Sequence, residues 1–169
     1  MPYKLAAMTS VLALGVALPA AAEISFNRIA SFATTRNMAD GEDHGRTSSA
    51  EIVSASEDGL TLVYTDSPLR AIGLIDITDP AAPKPLGTID MGGEPTTAVI
   101  LGGRVFAAVN TSESLAAPSG KLVTVDIASH REVASCDLGG QPDSVAKAPD
   151  GSFLAIAIEN ERDEDVNDG

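Results

Sequence analysis

The residues with the clearest chemical potential are the carboxylates near the end of the sequence, in the stretch ENERDEDVNDG at 159–169. Carboxylate oxygens are hard ligands, and Ca²⁺ takes six to eight such oxygens from flexible loops. Glu159, Glu161, Asp163 and Asp165 are therefore candidate metal ligands. The spacing of Asp163, Asp165 and Asp168-Gly169 is similar to that of a calcium loop, although the bidentate Glu of the helix–loop–helix pattern is missing at its offset. A solvated acidic loop explains the same composition equally well.

A repeat in the sequence predicts which elements carry these acids. One phrase of short β-type segments recurs with a step of 47 residues, from Gly92 to Gly139. Each copy joins two apolar runs through a glycine turn, a strong hairpin signal; the turns are Asp58-Gly59, Gly102-Gly103 and Asp150-Gly151. Four short strands in about 45 residues are typical of a β-propeller blade. A β-sandwich also has short strands and glycine turns, but it does not require the same phrase at a fixed step.

The repeat predicts an all-β fold, a partial β-propeller of about two and a half four-stranded blades plus an orphan outer strand. The predicted strands, A to D from the channel outward, are 49–55, 60–65, 71–77 and 85–91 in blade one, 96–101, 104–110, 121–127 and 132–138 in blade two, and 143–148 and 152–158 in blade three. The segment FNRIASFAT, 26–34, resembles the D strands and is the predicted orphan. Since a propeller needs about four blades to close, we expect the remaining blades to come from a longer chain.

Strand alternation then assigns the loops to two faces. The A–B and C–D turns share one face, and the B–C and D–A loops share the other, which collects the long charged loops. The residues expected on that second face are Asp40, Glu42, Asp43, His44, Asp66, Glu94, Glu113, Asp143, Glu159, Glu161, Asp163, Glu164, Asp165 and Asp168. Because Asp43 belongs to this group, it joins the four acids of 159–165 as a candidate metal ligand.

The first residues predict export. Lys4 precedes an apolar stretch that is too short to span a bilayer, and Pro19 and Ala20-Ala21-Ala22 resemble a cleavage site, so 1–22 is a predicted signal peptide and 23–169 the propeller part. No other segment predicts a membrane span. Removal of the signal peptide leaves ten basic and 24 acidic residues, a formal charge of −14. This charge argues against nucleic acid as a partner. The predicted location is periplasmic or extracellular.

Familiar catalytic motifs are absent from the sequence. It contains no G-x-S-x-G, H-E-x-x-H, C-x-x-C or Walker A pattern, so the sequence assigns no catalytic nucleophile or base. Cys136 is the single cysteine; in an exported protein it is either a buried thiol or pairs with a partner elsewhere.

The phrases DSPLRAIGLIDITDPAAPKPLGTI and GGQPDSVAKAPDGSFLAIAIENERDED, with the leading signal, resemble secreted bacterial propeller proteins. One such group is named for the esterase-like activity of phytase, and its members are often labelled alkaline phosphatase. The chain also resembles the related choice-of-anchor I and YVTN/lactonase-like propellers. The resemblance implies calcium-dependent hydrolysis of a small phosphorylated or ester substrate by a longer protein. In such a scheme Arg46 and Arg162 would contact phosphate.

Two other functions fit the same sequence. The chain is a non-catalytic extracellular or periplasmic binding or scaffold propeller if the acids are only a solvated rim, because a fold does not fix a function. A lactonase would require a histidine or carboxylate base in the channel.

Overall fold

The computed structural model describes residues 26–161, so the predicted signal peptide, 1–22, and residues 162–169 lie outside the described part. One 3₁₀ helix and ten strands form there. They are the helix Thr34–Asn37 and β1 Val53–Ala55, β2 Thr61–Asp66, β3 Ala71–Asp76, β4 Lys84–Asp90, β5 Glu94–Leu101, β6 Arg104–Asn110, β7 Gly120–Asp126, β8 Arg131–Asp137, β9 Pro142–Lys147 and β10 Leu154–Ile158.

The strands form antiparallel sheets in sequence order. Strands β1 to β4 make one four-stranded sheet, β5 to β8 make a second, and β9 and β10 pair as a two-stranded sheet. This confirms the predicted blades one, two and three, and we use these names below. Asp76 ends β3 and Asp126 ends β7, so the two aspartates occupy equivalent positions, as the repeat predicted.

Two segments differ from the prediction. The first strand is shorter than expected and begins at Val53. Residues 26–33, in the predicted orphan strand, form no strand, and the segment continues into the 3₁₀ helix Thr34–Asn37. A strand is defined by hydrogen bonds to a neighbouring strand, and no backbone hydrogen bond joins residues 26–32 to a described strand.

The main core lies between blades one and two. Strand residues alternate between the two faces of a sheet, and the apolar set that faces the neighbouring blade is almost fully buried. Its members are Val63, Ile72, Leu74, Met91, Ala98, Ile100, Val105, Ala107, Val109, Val123 and Val125. Strand β5 packs against β1 and β2, and β9 packs against β5 and β6, so successive blades stack face to face around their inner strands.

A repeated junction, Asp-x-Gly-Gly-x-Pro, leads from the outer strand of one blade to the inner strand of the next. In the first copy, the Asp90 carboxylate accepts the Gly92 N–H at 2.8 Å, and Gly92 adopts a left-handed φ of 65°. A Cβ on Gly93 would lie 2.5 Å from the Asn110 carbonyl oxygen. The first glycine therefore makes the turn, and the second lets the end of β6 lie close to the backbone of the junction. Asp137 and Gly139 repeat the bond in the second copy at 2.8 Å.

One ion pair connects inner elements of three blades. Lys147 Nζ, in blade three, lies 3.0 Å from Glu57 Oε1 in blade one and donates to the Ile100 carbonyl of blade two at 3.0 Å. The pair lies on the face of the A–B turns.

Among residues 26–161, no helix is long and apolar enough to cross a membrane.

Candidate functional site

The B–C and D–A loops share one face, which we call the loop face, and two clefts open on it. The first, the acidic cleft, lies where blades two and three meet and has a volume of about 440 Å³. Four carboxylates from three segments line it, from the start of β5, the start of β9 and the chain after β10. The lining residues are Glu94, Thr96, Asn110, Ser112, Ser114, Leu115, Gln141, Pro142, Asp143, Glu159 and Glu161.

The repeated junction explains why this cleft forms. The residue after each Gly-Gly pair, Glu94 in one copy and Gln141 in the other, lines the cleft from two successive blades. The Gln141 N–H donates to Asn160 Oδ1 at 2.9 Å, and the Glu159 N–H donates to the Gln141 carbonyl at 2.9 Å. These bonds hold the chain after β10 against the junction, so Glu159 and Glu161 enter the cleft.

The loop between β6 and β7 is ordered by its own polar side chains. Asn110 Oδ1 accepts the Ser112 N–H at 2.9 Å, and Ser112 Oγ both donates to the Ser119 carbonyl and accepts the Ser119 N–H. The Ser112 hydroxyl donates one hydrogen bond and accepts another within the loop. These contacts support a structural role rather than that of a nucleophile.

The second cleft, the arginine cleft, lies at the outer part of blade one and has a volume of about 620 Å³. The ends of β3 and β4 form one wall, and the loop 38–47 forms the other. Its lining residues are Ala39, Glu42, Arg46, Leu69, Arg70, Ala71, Thr88, Asp90 and Gly92.

The side-chain amide of Asn37, only 2 % exposed, fixes the start of the loop that carries Arg46. Its Nδ2 donates to the Leu74 carbonyl at 2.9 Å and to the Tyr64 hydroxyl at 3.1 Å, and its Oδ1 accepts the Gly87 N–H at 3.2 Å. Leu74 and Gly87 flank the β3–β4 bulge, where the ladder is interrupted and backbone groups need other partners. Asn37 supplies them.

The Asp66 carboxylate, which is fully buried, fixes the end of the same loop. The Ser48 hydroxyl donates to Asp66 Oδ2 at 2.5 Å, and the N–H groups of Ser49 and Leu69 donate to Oδ1 at 3.2 Å. Burial of a carboxylate is costly unless donors satisfy it. Asp66 was expected among the loop-face acids, but its position makes it an anchor of the loop rather than a surface ligand.

Arg70 adopts a left-handed backbone conformation, with φ of 57°. Hydrogen bonds on both sides hold it there: its N–H donates to the Ser67 carbonyl at 2.9 Å, and its carbonyl accepts the Met91 N–H at 3.0 Å. The Arg70 guanidinium donates to the Gly92 carbonyl at 3.0 Å. The equivalent position in blade two is Gly120, the first residue of β7.

The carboxyl groups with displaced pKa values lie on the opposite face, in the A–B and C–D turns. The Thr78 hydroxyl and N–H lower the pKa of Asp76, and the Ser129 hydroxyl and N–H lower that of Asp126. Asp58 and Asp150 repeat the arrangement: Ser56 and Ser152, respectively, lower their pKa values. These aspartates stabilise turns, so displaced pKa values do not mark a catalytic site among the described residues.

The structure brings part of the predicted metal set together. Glu159 and Glu161 line the acidic cleft, whereas Asp43 lies in the loop 38–47 and its Oδ1 accepts the Gly45 N–H at 2.9 Å. The expectation that Asp43 joins the other acids is therefore not met in the acidic cleft, because the loop is anchored to blade one. Asp163 and Asp165 lie outside the described residues.

One of the two predicted phosphate contacts lies within the described residues. Arg46 lines the arginine cleft, and Arg162 lies outside the described residues. The oxygen-rich lining of the acidic cleft fits calcium in donor type. Within residues 26–161, however, no three Asp, Glu, His or Cys side chains are close enough to share one metal ion.

Sequence reasoning overlooked two important residues. Arg70 had a usable signal, because the repeat aligns it with Gly120, the first residue of β7, so an arginine replaces a glycine in blade one. Asn37 had none, since its partners lie 27 to 50 residues away and no local pattern predicts them.

The four-stranded blades, stacked face to face with their loops on a common face, define the molecule as an all-β protein with the blades of a partial β-propeller. Residues 51–169 match the family model of the choice-of-anchor I domain, which covers more than half of the chain. The chain therefore belongs to the choice-of-anchor I domain family. Membership indicates a secreted or surface protein.

Solved structures of several enzymes are similar to the chain at low identity. A luciferin-regenerating enzyme has a TM-score of 0.44 and 17% identity over 62% of this chain and 40% of that one. A glutaminyl cyclase from Myxococcus xanthus has a TM-score of 0.46 and 14% identity over 66% and 44%. A hydrazine synthase from Kuenenia stuttgartiensis has a TM-score of 0.36 and 16% identity over 63% and 43%. The chain spans less than half the length of each. No curated protein matches the chain.

Proposed function

We propose that the protein is a calcium-dependent hydrolase of small phosphorylated or ester substrates, which acts in the periplasm or outside the cell. Further blades of a longer chain complete its propeller in this proposal. The observation that carries it is the convergence of Glu94, Asp143, Glu159 and Glu161, from three segments of the chain, in one cleft of the loop face.

The acidic cleft supplies the oxygens that calcium prefers. Glu159 and Glu161 would hold the ion together with Asp163 and Asp165, and the side-chain oxygens of Asn110 and Gln141 add neutral donors. Bound calcium would neutralise a phosphate group and lower the pKa of an attacking water. Arg162, close in sequence to these acids, would contact the phosphate.

The acids also predict how calcium affects stability. Like charges gathered in one cleft repel each other when no cation is bound. A cation that binds the folded protein stabilises it by mass action, by about 2.7 kcal/mol at a concentration 100 times its dissociation constant.

The test uses the full-length protein, with phosphatase and esterase assays in calcium and in chelator. We expect calcium to raise the melting temperature and to be required for hydrolysis, and the double variant Glu159→Gln/Glu161→Gln to lose both effects. Glu132→Gln is the matched control, because Glu132 is exposed on β8, the outer strand of blade two. A double variant that responds to calcium like the parent would contradict the proposed site.

A non-catalytic binding propeller is the second candidate. The observation that favours it is that no three potential ligands within residues 26–161 are close enough to share a metal ion. Under this alternative the full-length protein hydrolyses no phosphate or carboxylate ester, with or without calcium, although its loop face still binds a ligand.

A further inference from the structure

The arginine cleft contains two guanidinium groups that form no ion pair with a carboxylate among the described residues. The ion pair Lys147–Glu57 is the one that forms among residues 26–161, so neither Arg46 nor Arg70 pairs with an acid there. Arg70 uses one N–H on the Gly92 carbonyl. A guanidinium has five donors, so most of the donors in this cleft are available to a ligand.

The acids of the cleft are partly occupied by the backbone. Glu42 Oε2 accepts the Ala39 N–H at 2.8 Å, and Asp90 Oδ1 accepts the Gly92 N–H at 2.8 Å. With Arg46 and Arg70, they make the formal charge of the cleft zero. Recognition of an anion would therefore depend on the unpaired guanidinium donors rather than on net charge.

Both walls of the cleft are held in place before any ligand binds. The loop that carries Arg46 is anchored at its start by buried Asn37 and at its end by buried Asp66, which together make six hydrogen bonds. Burying an amide and a carboxylate is costly without such bonds. Two buried polar anchors at the two ends of one exposed loop indicate that the position of the loop matters.

The backbone of Arg70 carries a second sign of function. A left-handed conformation is unfavourable for a residue with a long side chain and is retained when the surroundings enforce it. The equivalent position in blade two is Gly120, the first residue of β7, and its φ is not in the left-handed region. The left-handed turn is therefore specific to blade one, and it places a guanidinium at the mouth of the cleft at a position where glycine would be unstrained.

We propose that the arginine cleft binds the oxyanion group, carboxylate or phosphate, of a small ligand, with Arg46 and Arg70 as donors from opposite walls. Arginine forms bidentate hydrogen bonds with both kinds of oxyanion. The volume of about 620 Å³ lies in the range of small-molecule sites. This site is independent of calcium and of the hydrolase proposed above.

The test is a titration of the full-length protein with inorganic phosphate and, separately, with acetate, in the presence of chelator. NMR of the arginine Nε–H groups reports binding, and the two titrations distinguish phosphate from carboxylate. We expect shifts at Arg46 and Arg70, and an affinity about tenfold lower in Arg70→Gly and in Arg46→Gln, since each removes charge-assisted hydrogen bonds.

Arg104→Gln is the matched control, because Arg104 starts β6 on the opposite face, and it should bind like the parent. Arg70→Gly suits a left-handed φ, so the variant should keep the fold, and its unfolding free energy checks that a loss of binding is not due to misfolding. The proposal is overturned if neither probe shifts the two arginines at millimolar concentration, or if Arg70→Gly binds as tightly as the parent. If phosphate or acetate binds at the two arginines but the protein hydrolyses no ester, the oxyanion site is supported and only the proposed hydrolase function is contradicted.

Discussion

The two clefts of the loop face are built in different ways. The arginine cleft belongs to blade one, and buried side chains anchor its exposed wall, the loop 38–47, at both ends. The acidic cleft lies between blades two and three, and its carboxylates Glu94, Asp143, Glu159 and Glu161 are all exposed. The first cleft is organised by the fold alone, whereas the second concentrates charge that a bound cation would relieve. Substitutions at the buried anchors should therefore disrupt the arginine cleft, and substitutions at the junction of blades two and three should disrupt the acidic cleft.

The largest expected effect comes from removing an anchor of the arginine cleft. Asn37→Ala leaves the Leu74 carbonyl, the Gly87 N–H and the Tyr64 hydroxyl without their partner. Unsatisfied buried groups cost about 1–3 kcal/mol each, with partial relief by water, so we expect a loss of about 3 kcal/mol in the free energy of unfolding. Denaturant unfolding of the full-length protein measures it.

The control for this change is Asn27→Ala, because Asn27 is exposed. If Asn37→Ala unfolds at the same denaturant concentration as Asn27→Ala, the amide does not anchor the loop, and the contrast between the clefts disappears.

A smaller effect is expected at the junction below the acidic cleft. A Cβ at position 120 would overlap Pro142 Cδ and lie 2.5 Å from the Gly140 carbonyl oxygen. Gly120→Ala should therefore cost about 2 kcal/mol, as overpacking does, and separate blades two and three. Phosphate binding by the arginine cleft should not change. An equal loss of binding in both clefts would show that they are not independent.

The opposite face predicts a still smaller, pH-dependent effect. The folded pKa of Asp126 lies below its ordinary value of 3.8, because the Ser129 hydroxyl and N–H bind the carboxylate. Its stabilising contribution is therefore present above about pH 4 and is lost as the pH falls through the lowered folded pKa. Asp126→Asn should make the unfolding free energy less dependent on pH below about pH 4, while Asp137→Asn, on the loop face, is the comparison variant. Identical pH profiles of the Asp126→Asn variant and the parent would contradict this role.

The smallest expected change is in the stability of Arg70→Gly. Glycine removes the cost of a left-handed arginine but adds freedom to the unfolded chain, and both terms are about 1 kcal/mol. The unfolding free energy should stay within about 0.5 kcal/mol of the parent, whereas Arg70→Val should lose about 1–2 kcal/mol. A marked destabilisation by glycine would mean that the guanidinium supports the fold rather than a ligand.

The repeat of turns and apolar runs was enough to predict the blades. Strand β6, Arg104–Asn110, occupies the predicted positions because hairpin glycines and alternating apolar residues are local signals. The outer segment at 26–34 could not be predicted in the same way, because similarity to a D strand does not supply the neighbour that a strand requires.

Sequence alone determined the alternation of faces, and with it the meeting of Glu159 and Glu161 with Glu94 and Asp143 on one side. This follows because antiparallel strands of a blade return every second loop to the same face. Only the tertiary structure decided which charged residues share a cleft. Asp66 became a buried anchor and Asp43 stayed apart, because contacts over tens of residues fix the loop 38–47 to blade one. Arg70 joined Arg46 for the same reason, since the direction of a side chain depends on the backbone strain and packing that neighbouring elements impose.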